Sequence, residues 1–167
     1  MGVPQMKVPR EVRRAARRAK RRRDRGRDNG NAKPLRRANV PAVFLDASFL
    51  AAVASSMHPR NAESISSYFD LLSRYERHEI RLKGRADVVE ALPAELTAGI
   101  ERVHVSGQHR RAAARLDLPF ELGTDDRITL VLLRRERICE VATLQSVFHA
   151  VDLTIHPAPP LPDDEIV

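Results

Sequence analysis

Residues 41–53 read PAVFLDASFLAAV. Four apolar residues, Ala42 to Leu45, run into a lone acid, Asp46, and the small pair Ala47 and Ser48 then opens a second apolar segment, Phe49 to Val53. A short apolar run of this kind predicts a buried strand that ends at the acid and feeds a helix. Asp46 then stands at the carboxyl end of the first strand. In an open α/β sheet that edge is where ligands bind, in the crevice at the topological switch point. A second reading stays open here: Asp46 or Ser48 caps the helix by accepting hydrogen bonds from its free amides.

Downstream, the pattern alternates between short strands and helices. Ile65, Tyr68, Phe69 and Leu72 fall at i, i+3, i+4 and i+7, which predicts an amphipathic helix over residues 61–75 with these side chains in the core. Ile80 and Leu82 mark a second strand, stopped at Gly84, and residues 86–92 a short helix that holds Glu90. Residues 100–105 predict a third strand and 107–117 a helix with a basic outer side. Thr124 offers a cap for a very apolar helix over 125–137, which is expected to pack on more than one side. Strands at 141–143 and 153–155, with a short helix at 146–150 between them, complete the pattern. Cys139 is placed on a buried strand, as core.

Alternating elements of this kind imply parallel βαβ units with right-handed crossovers. The expected fold is therefore a three-layer α/β/α domain with a short central parallel sheet over residues 41–157. Residues 1–40 precede it as a basic arm and linker, and 158–167 follow as a proline-rich acidic tail that is able to fold back on the arm.

Charge divides the chain in the same way. Residues 1–40 carry 15 Lys or Arg and three acids, a balance of +12, whereas the rest carries 14 basic and 19 acidic residues, a balance of −5. Such asymmetry points to a polyanion partner for the arm. Arg13, Arg14, Arg17, Arg18, Arg21, Arg22 and Arg25 recur at three- and four-residue spacing, so a helix would gather them on one cationic face for nucleic acid. Repulsion at those spacings opposes the helix. The expectation is a segment that stays disordered until phosphates neutralise it; the competing reading is a solvated tail. The single cysteine excludes a disulfide framework and a Cys-based zinc site and fits a reducing cytoplasm. No run reaches the roughly 18 apolar residues of a membrane span.

Three acids recur at comparable places: Asp46 after the first strand, Glu90 on the helix after the second, and Asp126 at the start of the helix before the fourth. A parallel sheet brings all three to its carboxyl edge. Carboxylates gathered there repel one another unless a cation joins them, and hard oxygen ligands suit Mg²⁺ or Mn²⁺. Such a site can activate water and stabilise an in-line displacement at phosphorus. Taken singly, each acid has a plainer reading: Asp126 is favoured in a first helical turn by the helix dipole, and Glu90 fits a helix surface. The six histidines show no metal-ligand spacing, no phosphate-binding GxxxxGK[ST] loop occurs, and Ser48 lacks a GxSxG elbow.

Residues 43–157 resemble the PIN domain, in particular the VapC-type toxin ribonucleases. The matching pieces are VFLDASFL around Asp46, ADVVEAL around Glu90, TDDRITLVL around Asp126, and VATLQSVF around Thr143 and Gln145, with 19 residues from Asp126 to Gln145. The resemblance implies a metal-dependent endoribonuclease acting on RNA, tRNA and rRNA included, with a small antitoxin protein as partner and a homodimer as assembly. It places Asp46, Glu90 and Asp126 as catalytic metal ligands and Thr143 at the Ser/Thr position, with Gln145 and Ser48 in auxiliary roles. Two departures stand out. Gln145 replaces the family's fourth acid and removes one negative charge, and the segment between Glu90 and Asp126 is short. The alternative is a PIN scaffold that has lost catalysis and serves as an RNA- or ribosome-binding protein.

Overall fold

The computed structural model describes residues 8–28 and 40–157. Most of the linker expected over 26–39 and the tail at 158–167 lie outside the described residues. The elements run α1 (Arg10–Asp28), β1 (Ala42–Leu45), α2 (Ala47–Ala54), α3 (Asn61–Glu76), β2 (Arg81–Arg85), α4 (Ala86–Glu90), α5 (Ala94–Thr97), β3 (Ile100–Val103), α6 (Gly107–Ala114), α7 (Thr124–Arg135), β4 (Glu140–Ala142), a 3₁₀ turn (Ser146–Ala150) and β5 (Thr154–His156). Five strands pair in the order β3-β2-β1-β4-β5, all parallel. Helices cover both faces, as the three-layer α/β reading expects.

Strand β1 lies in the middle of the sheet, and its four residues are all buried, which is why it is apolar without alternation. Its side chains divide between two cores. Val43 and Leu45 join α1 to α5 on one face; Ala42 and Phe44 join α6 and α7 on the other. Helix α7 is apolar almost all round because Ile128 and Leu130 to Leu133 are all buried in the second core. Its first residue is Thr124, and Gly123 stands at the cap position without a side-chain bond, so Thr124 is not the cap.

Gly84 does not end the second strand. It lies inside β2, where a Cβ would come within 2.9 Å of Val89 Cγ2 and 3.3 Å of Ile100 Cγ2. A bare backbone here lets α4 fold down onto the strand it follows. Cys139 is exposed in the turn before β4 and is not a core residue.

The larger difference concerns the basic segment. Residues 10–28 form a 19-residue helix that is docked on the body. Val8, Val12, Ala16 and Ala19 recur along one side and are 0 to 4% exposed, packed in one cluster with Tyr68, Tyr75, Ile80 and Leu96. Arginine repulsion is therefore opposed by an apolar seam that a reading of charge alone overlooks. Three polar anchors flank that seam: Arg17 pairs with Glu95 at 2.8 Å, Arg22 pairs with Glu76 at 3.3 Å, and Arg23 lies 4.0 Å above the Tyr75 ring. Within the segment, Arg13 Nε donates to Val8 O at 3.0 Å. Among the described residues no helix is long and apolar enough to cross a membrane.

Candidate active site

The strand order reverses at β1, with β2 on one side and β4 on the other, so the crevice of an open parallel sheet falls at the carboxyl ends of β1 and β4. Asp46 leaves β1 there and Thr143 leaves β4. The backbone N–H of Asp46 donates to Ala142 O at 2.9 Å, the last tie before the strands separate. Asp46 is 6% exposed and is fixed on three sides. The Ser48 backbone N–H donates to Oδ2 at 3.3 Å, Ser48 Oγ at 2.7 Å and Thr143 Oγ1 at 3.1 Å. The two readings of Asp46 thus hold together: it caps α2, and it uses one oxygen to do so. Among the described residues Oδ1 accepts no hydrogen bond, which leaves a carboxylate oxygen for a ligand.

Ser48 and Thr143 are themselves held. Leu144 N donates to Ser48 Oγ at 3.0 Å, which ties the segment after β4 to the start of α2, and Gln145 N donates to Thr143 Oγ1 at 3.1 Å within that segment. Gln145 then starts the 3₁₀ turn, with an exposed side chain that has no partner among the described residues.

Asp126 joins Asp46 from the first turn of α7. Partial burial, then the charges of Asp46 and of Asp125, push the Asp126 carboxyl above the ordinary aspartate range. Two carboxylates from elements 80 residues apart in sequence are thus close enough to repel. Glu90 does not join them. It is 58% exposed and faces Arg102 at 3.7 Å, at the end of a helix only five residues long. Among the described residues, no group of three or more His, Cys, Asp or Glu side chains is placed to hold a metal ion.

A cation does stand at this edge, and nothing in the sequence patterns singled it out. Arg85 ends β2, next to Asp46 in the continued β1–β2 register, with its side chain 11% exposed. Its guanidinium makes two bonds to Asp87, at 2.6 and 3.1 Å, and a third to Asp125 at 2.9 Å. The pairing holds the Asp87 carboxyl below its ordinary range. It also ties the N-terminus of α7 to β2 and so helps to fix where Asp126 sits. The available signal was positional: Asp87 lies three residues before Glu90 on the same short helix, and Asp125 is adjacent to Asp126. Beside this edge, Ala47, Ala51, Asp87, Val88, Ala91 and Leu92 line an open cleft of about 290 Å³ between α2 and α4.

No protein-family model matches the chain, and no curated protein matches it. Among solved structures, the fold is similar to that of Mycobacterium tuberculosis VapC20, described as a Sarcin-Ricin loop cleaving toxin. The TM-score is 0.49 and the identity 15%, over 67% of this chain and 98% of that one.

Proposed function

We propose that the chain is a PIN-type endoribonuclease whose metal site is reduced to two carboxylates, Asp46 and Asp126, at the carboxyl edge of the sheet. The observation that supports this reading is the pair itself: a carboxylate anchored through Oδ2 with Oδ1 left over, and a second carboxyl whose pKa is raised by the first. A cage of three acids does not fit the described residues. The reading adopted is a single Mg²⁺ or Mn²⁺, because Mg²⁺ keeps several waters and is commonly held by one or two carboxylates together with substrate phosphates. When bound, such an ion activates water and stabilises charge at phosphorus.

The chain's own residues have separable tasks. Ser48 and Thr143 hold Asp46 in a single orientation. Arg85 pairs with Asp125 and so fixes the start of α7. Gln145, whose backbone N–H donates to Thr143 Oγ1, carries an amide oxygen able to accept from a water without adding charge. Glu90, on this reading, belongs to the rim. A small antitoxin protein that covers the acidic edge, and a homodimeric assembly, are compatible with this arrangement.

A second reading is favoured by Gln145 and Arg85 together, since one carboxylate is missing and a guanidinium stands nearby: a scaffold that binds RNA without cutting it. Incubating the full chain with a structured RNA and Mn²⁺ separates the two. Cleavage is expected, lost in EDTA and in Asp46→Asn, and raised by roughly tenfold in Gln145→Asp, which restores a charge beside the ion. Equal cleavage in EDTA would contradict the metal-dependent reading. Absence of cleavage in both the native chain and Gln145→Asp would leave the binding scaffold.

A further inference from the structure

Docking fixes the rotation of α1, and that rotation sorts its arginines into two sets. Arg17, Arg22 and Arg23 flank the apolar seam and are used against the body, and Arg13 is used within the segment itself, on Val8 O. Arg14, Arg18, Arg21 and Arg25 recur at i, i+4, i+7 and i+11 on the opposite side. All four are exposed, and none has an ion pair or side-chain hydrogen bond among the described residues. At 1.5 Å per residue they form one line roughly 16 Å long.

We propose that this outer line is a rigid surface for the phosphate backbone of RNA, separate from the carboxylate edge and independent of catalysis. Four like charges at these spacings oppose the helix. The apolar seam holds them in place regardless, so a polyanion meets a pre-arranged row and does not have to order a coil. A membrane surface does not fit, because an interfacial helix buries its apolar face in lipid, whereas Val8, Val12, Ala16 and Ala19 are already buried in protein. What remains is contact with phosphates from one side, which positions a nucleic acid without reading its bases. The choice of RNA rests on the function proposed above; the surface itself does not.

The test uses the full chain in EDTA, so that no cleavage occurs, with a fluorescent RNA stem-loop measured by anisotropy between 50 and 200 mM KCl. Replacing Arg14, Arg18, Arg21 and Arg25 together with alanine is expected to flatten the slope of log affinity against log salt by about 3, close to four phosphate contacts. The melting temperature should stay the same or rise. Replacing Arg17 and Arg22 with alanine is expected to lower the melting temperature and leave the slope unchanged. A quadruple variant with the native slope overturns the proposal, as does native binding to phosphatidylserine vesicles as tight as to RNA. Loss of cleavage in Asp46→Asn with the salt slope intact bears only on the carboxylate site. An unchanged slope in the quadruple variant with metal-dependent cleavage intact bears only on α1.

Discussion

Asp126→Asn is expected to lower Mn²⁺-dependent RNA cleavage on the order of 1000-fold and, in EDTA at neutral pH, to raise the melting temperature. Both effects have one cause. The charge that a divalent ion would use is a charge the metal-free fold holds at a disadvantage, through burial and the neighbouring Asp46 and Asp125. On the proposed reading, removing a metal ligand worth several kcal/mol at the transition state gives the loss of rate, at about 1.4 kcal/mol per tenfold. The sign of the stability change follows from linkage. A carboxyl whose pKa is raised by folding leaves the native state least burdened below the ordinary aspartate value of about 3.9. That advantage is lost as pH rises through the raised folded value. The variant does not titrate there, so its lead opens above about pH 4. At pH 7 the variant should therefore melt above the native chain. Thermal denaturation in EDTA from pH 3 to 8 reads it. A variant that melts lower than the native chain at pH 7, or that cleaves at the native rate, contradicts this account.

Val12→Asp is expected to destabilise the whole domain, not the N-terminal helix alone. Val12 is 0% exposed and shares one cluster with residues of α3, α5 and β2. An unpaired carboxylate there has two outcomes: it stays charged in the core, or it undocks α1 and uncovers the seam against Tyr75, Ile80 and Leu96. The cost expected is on the order of 3–5 kcal/mol, at the exceptional end for a single substitution, which corresponds to a fall of roughly 10 °C or more. Urea denaturation of the full chain checks it. Arg14→Ala, two residues away on the outer side, should change stability by less than about 0.5 kcal/mol. If Val12→Asp were as mild as that control, α1 would be an appendage rather than part of the fold.

The body of the fold was legible because strand burial and helix periodicity leave different marks. Ala42 to Leu45 is too short and too uniformly apolar to be a surface helix, and the 61–75 pattern places Tyr68 and Leu72 on the side that is buried. Asp46 and Asp126 were legible for a related reason: each ends or begins a strongly patterned element, so the parallel topology fixes the edge it occupies. Glu90 was not, since where a side chain points from a five-residue helix depends on how that helix sits on Gly84, and the sequence does not encode that in any period. Arg85 was hidden by its position at a strand end, where a cation ordinarily reads as solvated. The docking of α1 was missed for a different reason. Its seam is built from two valines and two alanines, a weak apolar signal beneath a strong arginine one.

The most direct measurement is the anomalous diffraction of a Mn²⁺-soaked crystal. The account predicts one ion at the carboxyl edge, roughly 2 Å from Asp46 Oδ1 and from an Asp126 oxygen, with waters completing its shell and Glu90 still facing Arg102. No ion between those two carboxylates at saturating Mn²⁺, with both side chains ordered, would contradict it.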